Sequence, residues 1–571
     1  MGSARRGTPR LMRRGAVVLA AVAGMAGCTN SPPPPLVTSP VAETSPTRQP
    51  NLNEVVVGVD TVAGGLNPHA LSDQNQTSWA LASVLLPSPF RPGPDGSPQL
   101  DRTLMASAEV TRSEPFTVTY TIRQQAAWSD GAPIAAEDFV YLWERMRSEP
   151  GVVDPAGYRL ISKVNSREGG KTVEVVFDKP YPGWRSLFDN LLPAHLLKDA
   201  PGGWARALKD GYPVYGGPFA VRSLDRDRGE IVLERNDRYW EKPAVLERIV
   251  LRAADHGGLA RAVGSGDDQA AVVQADAVAM RMLRELGENI QLHEVPRPTV
   301  VQLLLRPSSS RLADPKVRSA VAAALDRPAL IAAGTGNGPS AKLVADAQVL
   351  APSQPGYQPT APAGAPAKPN PKATEQLLTE AGYTRDAAGW TKDGQALSLV
   401  IAAPGKQEPY HTLATLLQRQ LSAAGITTNV ITPDATRFYD MLTKPSPDGE
   451  GNGVDIAVVA RPVDADGASS LASTFGCRAT LPGGGGQAPP NPAGFCDPEL
   501  QPTIEQALTG QLPLPEALGR VESALWRQAV ALPLFQLSDV LVSRPEVTGV
   551  QPGPPLVSPF TDAAQWRRDA R

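Results

Sequence analysis

Tyr120-Thr121-Ile122-Arg123-Gln124-Gln125-Ala126-Ala127-Trp128-Ser129-Asp130-Gly131-Ala132-Pro133-Ile134-Ala135-Ala136-Glu137-Asp138-Phe139-Val140 carries the chain from strand through turn to helix. Phe116, Val118, Tyr120 and Ile122 share one face, with Thr117, Thr119, Thr121 and Arg123 opposite, the alternation of a half-buried strand. The strand is predicted to end at Trp128, with Ser129-Asp130-Gly131 as the turn and a helix after Pro133. Ala136, Phe139, Val140 and Trp143 recur at helical spacing. Glu137 and Asp138 then lie near the positive end of the helix dipole. Ala135 stands at the cap position and offers no side-chain acceptor, which weakens the cap by about 1 kcal/mol.

Outward from this segment the two periodicities keep alternating. Glu54 to Val59 reads as a buried strand, and Val173, Val175, Phe177, Ile231 and Leu233 mark further strands. Asp314-Pro315 starts a helix whose stripe is Val317, Val321 and Leu325. Another helix is expected from Thr374 to Ala381, closed by Gly382. The Pro/Gly-rich stretches 354–368 and 481–492 read as surface loops. This mixture predicts α/β lobes. At 571 residues the chain exceeds a single core, so two or three domains are expected.

The chain opens with Arg5, Arg6, Arg10, Arg13 and Arg14, followed by an uncharged apolar stretch from Gly15 to Gly27. That stretch is shorter than the ~20 residues a membrane span needs and reads as a signal peptide. Met25-Ala26-Gly27-Cys28 resembles a bacterial lipobox, with Met where Leu is usual, and implies that the Cys28 thiol takes up a diacylglyceryl group. The alternative is an ordinary signal peptide with a chance cysteine. Residues 29–50 are rich in Pro, Ser and Thr, including Pro32 to Pro35, and suit a stiff, extended tether. Of three cysteines, lipidation uses one. Cys477 and Cys496 are left either to form a bridge, worth about 3 kcal/mol, or to stay as two buried thiols; outside the cytoplasm the bridge is favoured.

The Trp128-Ser129-Asp130-Gly131 to Glu137-Asp138-Phe139 segment resembles the signature of family 5 extracellular solute-binding proteins. Further motifs follow in that family's order: Pro193-Ala194-His195-Leu196, Gly217-Pro218-Phe219, Arg235-Asn236 with Tyr239-Trp240, Val317-Arg318-Ser319-Ala320 with Asp326-Arg327, and Leu532-Pro533-Leu534-Phe535. The resemblance implies an α/β, two-lobed periplasmic-binding-protein-like fold of type II, cluster C, with an extra subdomain in the first lobe. It divides the chain into a signal peptide (1–27), a lipidated tether (28–52), a first lobe (53–70, 210–295 and 531–571), its subdomain (71–209) and a second lobe (296–530). Asp130, Glu137, Tyr239 and Trp240 are then fold determinants.

Peptide-binding members of this family carry an acidic residue in a Trp-x-x-Asp pattern that meets the ligand's amino terminus. Asp464 stands at that position here, Arg461 replaces the Trp, and Asp466 follows. Arg461 is suited either to hold a phosphate or carboxylate bidentately or to pair with Asp464. Arg306 replaces the family's Asn after the inter-lobe strand. In the loop Gly64-Gly65-Leu66-Asn67-Pro68-His69, Asn67 and His69 are candidate ligand contacts, with a self-satisfied turn as the alternative. Trp79 either lines the cleft or packs in the subdomain, and packing is the favoured reading. These departures, the Arg-rich leader and the Pro-rich tether resemble mycobacterial envelope lipoproteins of the family linked with phosphatidylinositol mannosides and the routing of these toward lipomannan and lipoarabinomannan. The expected partners are a phosphoinositide mannoside glycolipid or a peptide ligand, the membrane through the anchor, and a membrane mannosyltransferase or an ABC permease. The protein is expected to be a monomer on the extracytoplasmic face of the cell membrane. An oligopeptide-binding role in an ABC importer is the main alternative.

Other functions find little support. A net charge of -3 with no long basic run argues against nucleic acid. No G-x-S-x-G or H-E-x-x-H occurs, and His69, His195, His256, His293 and His411 lack metal-ligand spacing. Gly334 to Gly338 is not followed by the Lys-Ser or Lys-Thr of a phosphate loop and reads as a turn closing a helix. No catalytic residue, metal or cofactor is assigned. A carboxylate-pair glycan-processing enzyme stays open only because such pairs leave no local signature.

Overall fold

A computed structural model of the chain describes residues 51–363, 367–387, 389–445, 451–482, 486–554 and 556–569. The signal peptide, Cys28 and the tether up to Pro50 lie outside the described residues.

Ten strands form one sheet: β1 (Glu54–Val59), β2 (Phe219–Asp225), β3 (Glu230–Arg235), β4 (Arg248–Ala253), β5 (Ala270–Val273), β6 (Gln291–Leu305), β7 (Ser398–Ala402), β8 (Thr427–Ile431), β9 (Ile456–Pro462) and β10 (Ala531–Ser543). Their order across the sheet is β8-β7-β9-β6-β10-β5-β1-β4-β3-β2. The antiparallel pair β6 and β10 runs through the middle and carries the sheet from one half to the other. Their register shifts between Pro296 and Val300 and again between Val301 and Gln302. Pro296 and Pro298 explain the first break, since proline supplies no N–H to a ladder.

Beyond the break, β6 is buried on both faces, which accounts for its unbroken apolar run. Val301, Leu303 and Leu305 point into one core with Val317, Val321, Leu399 and Ile401. Leu304 points the other way, to Ala457, Val459, Phe438, Leu471 and Phe475. Helices therefore cover both faces of this half. Helix Pro315–Ala323 is capped by Asp314, whose side chain accepts from Lys316 N. Gly336 ends helix Arg327–Thr335 in the left-handed conformation, so the Gly-rich motif is a helix stop.

A separate antiparallel sheet holds Met105–Ser113, Phe116–Ile122, Thr172–Phe177 and Ile161–Arg167, in that order. Its inner face packs on helix Ala136–Ser148 through Tyr120, Phe139 and Phe188, all fully buried. Phe139→Ala would cost about 3–5 kcal/mol. Three details differ from expectation. The strand stops at Ile122, because Trp128 pairs across its own turn (Trp128 N to Ala132 O, 2.7 Å) instead of extending the sheet. The helix expected from Thr374 begins earlier, as Pro371–Glu380, because Asn370 caps it. The stretches 354–368 and 481–492 are not simply surface loops: Gln354, Leu481, Ala488 and Asn491 are buried, and Asn491 Nδ2 donates to Gly476 O and Phe495 O. A disulfide joins Cys477 to Cys496 beside this segment.

Candidate functional site

A cavity of about 300 Å³ opens where several distant segments meet. Pro68 and His69 follow β1, Trp79 comes from helix Gln76–Leu85, and Arg297 and Pro298 lie at the register break of β6. Asp464 follows β9, Asp539 comes from β10, and Phe560 comes from the last turns of the chain. The volume is at the lower end of small-molecule sites, which run from about 300 to 1,000 Å³.

Asp154, Asp189, Asp464 and Asp539 are among its polar lining. Burial and then neighbouring Asp464 push the Asp154 carboxyl up to about 7. Burial and then Asp466 raise Asp464 to about 6. Asp189 is raised well above the carboxylate range by burial and Asp464, and its Oδ1 has no hydrogen-bond partner among the described residues. A carboxyl that holds its proton part of the time can both donate and accept. On the other wall Arg297 Nε donates to Asp539 Oδ2 at 2.6 Å. Burial opposes the Arg297 charge, but Asp539 and Asp60 outweigh it and raise its pKa.

The backbone carrying the acids is in an uncommon conformation. Asp154 (φ 40°), Phe188 (φ 66°) and Asn190 (φ 52°) are all left-handed without being glycine. Such residues cost of order 1–3 kcal/mol and persist where the surroundings fix them. Here Phe188 N donates to Tyr158 Oη at 2.7 Å and Asn190 N donates to Ser88 Oγ at 2.8 Å.

The residues singled out from the sequence separate into groups. His69 and Asp464 both line the cavity. His69 bonds through Nε2 to Asn190 O at 3.0 Å, and burial lowers its pKa to about 4. Asn67 does not line the cavity: its Oδ1 accepts from His69 N, the self-satisfied turn. Asp466 caps helix Gly467–Phe475 and accepts a hydrogen bond from Tyr181 Oη. Arg306 lies away from the cavity, donating to Leu442 O and Val454 O. Among the described residues Arg461 forms no ion pair with Asp464; it lines a smaller adjoining chamber instead. Trp79 lines the cavity, against its reading as a packing residue, and its indole N–H is held by Gln74 Oε1.

Asp154, Asp189, Arg297 and Asp539 were missed by sequence reasoning. Two of them left a signal: Arg297 sits between two prolines, and Asp539 is the lone charged residue of its strand. Asp154 and Asp189 left none, since only tertiary folding brings them together.

Residues 102–477 match the family model "Bacterial extracellular solute-binding proteins, family 5 Middle". The chain is 35% identical to the "Probable monoacyl phosphatidylinositol tetramannoside-binding protein LpqW" of Mycobacterium tuberculosis, over 98% of this chain and 99% of that one. It is 27% identical to the oligopeptide-binding protein OppA of Mycobacterium bovis, over 82% of this chain and 77% of that one. The crystal structure of an oligopeptide-binding protein from Thermus thermophilus, complexed with a pentapeptide, superposes with a TM-score of 0.70 at 18% identity, covering 91% and 97% of the two chains. That last likeness speaks to the fold alone, an α/β, two-lobed type II periplasmic-binding-protein architecture.

Proposed function

The chain belongs to the bacterial extracellular solute-binding proteins of family 5, and from that premise we propose that its cavity receives the mannosylated headgroup of a phosphatidylinositol mannoside, with Cys28 acylated and holding the protein at the extracytoplasmic membrane face. The two halves of the sheet act as lobes that hinge at the β6–β10 register break, the first comprising 53–70, 210–295 and 531–571 with 71–209 as its subdomain, the second 296–530. The protein binds and carries out no chemistry. Its partner is a mannosyltransferase of the membrane.

The observation that carries this reading is the convergence of Asp154, Asp189 and Asp464 on a cavity whose other walls include Trp79, Phe560 and Val295. Carboxyls that both accept and donate suit a dense array of sugar hydroxyls. Aromatic and aliphatic walls suit the apolar faces of the sugar rings. The relative named for a phosphatidylinositol tetramannoside gives the same direction. His69 and Asp464 are then direct contacts.

Calorimetry with deacylated phosphatidylinositol mannosides tests this. Saturable binding that weakens at least tenfold in Asp464→Asn is expected. A second reading, the oligopeptide-binding component of an ABC importer, draws on the same acid cluster, which would also pair with a peptide's ammonium group. Saturable binding of short peptides, with no response to the mannosides, would reject the first reading in favour of the second.

A further inference from the structure

Beside the main cavity lies a chamber of about 50 Å³ that shares Asp154 and Pro462 as walls with it. Two guanidinium groups line it, from Arg159 and Arg461. Arg461 is 5% exposed, and its Nε and Nη2 have no hydrogen-bond partner among the described residues. Its Nη1 makes only a long contact, 3.5 Å, to Pro462 O. Arg159 Nε is buried and also lacks a partner there. Among the described residues neither side chain forms an ion pair. Gln302 Oε1, a fourth unpartnered polar atom among the described residues, belongs to the same wall.

This arrangement is costly unless something completes it. A guanidinium taken out of water needs a counter-charge or a full set of acceptors. Burial lowers the pKa of both arginines to about 10, and for Arg159 nearby Arg478 adds like-charge repulsion. The carboxylates that act on Arg461, first Asp154 and then Glu522, offset its burial only in part and make no hydrogen bond to it. Asp154 accepts from Ser470 Oγ at 2.8 Å, and Glu522 accepts from Gln348 N at 3.0 Å and Val349 N at 2.9 Å. A chamber of this size holds about four water-sized spheres, at roughly 10–15 Å³ each, which the oxygens of one phosphate or carboxylate would fill.

We propose that this chamber is an oxyanion subsite, in which Arg461 and Arg159 receive one phosphate or carboxylate group of a ligand whose remaining part occupies the main cavity. The identity of that remaining part rests on the function proposed above; the subsite itself does not. Arg461 supplies the planar fork that bidentate recognition requires, and Lys would not reproduce it.

The test uses the full chain and calorimetric titration with inorganic phosphate and, separately, acetate. Saturable one-to-one phosphate binding is expected, at least tenfold weaker in Arg461→Met and in Arg159→Met. Without anion, Arg461→Met should melt no lower than the parent, since an unpaired buried charge has been removed. Arg461→Lys guards against a folding defect: it should fold and bind phosphate several-fold more weakly. Tighter binding of acetate than of phosphate would assign the subsite to carboxylates. Absence of saturable binding for both anions, or phosphate binding indifferent to Arg461→Met, overturns the proposal. A mannosylated headgroup that binds equally well with and without its phosphate overturns the subsite and leaves the headgroup reading intact. Phosphate binding through Arg461 with no mannoside binding does the reverse.

Discussion

Tyr181 donates its hydroxyl hydrogen to Asp466 Oδ2 at 2.5 Å, tying together residues 285 positions apart in the chain. Two neighbouring bonds join the same regions: Ser470 Oγ to Asp154 Oδ2 at 2.8 Å and Ala156 N to Ser473 Oγ at 3.1 Å. Together they fasten the segment before Leu187 to helix Gly467–Phe475, one end of which Asp466 also caps.

Tyr181→Phe removes the hydroxyl and leaves the cap in place. A hydrogen bond to a charged acceptor is worth about 1.5–3 kcal/mol, enough to shift a balance between open and closed cleft by roughly tenfold or more. Small-angle X-ray scattering of the ligand-free variant should give a larger radius of gyration than the parent. An unchanged radius would show that the contact does not hold the cleft.

Asp154 sets a pH dependence whose sign can be worked out. Its carboxyl titrates at about 7 in the folded protein, raised first by burial and then by Asp464, and near 3.9 when unfolded. Between those values the folded state holds the extra proton, so Asp154 favours folding increasingly as pH falls from about 7 to about 4, by at most about 1.4 kcal/mol per unit. His69 works in the opposite direction: its folded pKa is lowered to about 4, so its contribution is complete above about 6.5 and is lost on acidification. Asp154→Asn isolates the first effect. Its melting temperature should exceed the parent's most near pH 8, with the advantage shrinking toward pH 4. A difference that does not vary with pH would remove Asp154 as the source.

Arg297 and Asp539 form a partly buried ion pair, with Asp539 only 5% exposed. Arg297→Met would leave that carboxylate without its partner, at a cost of about 3–5 kcal/mol in urea denaturation. Arg297→Met combined with Asp539→Leu should recover most of the loss. A double variant that loses the sum of the Arg297→Met and Asp539→Leu losses would mean that the pair is not coupled.

Reduction of Cys477–Cys496 should lower stability by about 3 kcal/mol in the chain-entropy model for a loop of this length. The urea midpoint should fall in the presence of reductant and in Cys477→Ser by the same amount. A midpoint indifferent to reductant would leave the bridge without a role in stability.

Much of the fold was legible because its signals are local. The alternation from Phe116 to Ile122, Asp314-Pro315 ahead of a helix and Gly336 behind another each act within a few residues. Trp128 misled because a side chain suited to a strand sits on a backbone that pairs with its own turn. The site was harder to read. Asn67 and Asp466 are residue types that serve equally as ligand contacts and as caps, and only their hydrogen bonds reveal the second use. Asp154 and Asp189 are raised by burial and then by Asp464, which the fold brings beside them. Residues so far apart in the chain carry no trace of that proximity.

Leu304 on β6 and Ala531 on β10 are register partners, so the chain from 305 to 530 departs from the β6–β10 pair and rejoins it through one doorway, having supplied β7, β8 and β9 to the far side of the sheet. That block is topologically detachable. A tight hairpin in its place would close the remaining sheet without threading a loop, and a related block could be spliced in at the same two points. Exchange of this kind gives a lineage a way to change what the cleft accepts while keeping the strands that anchor the rest.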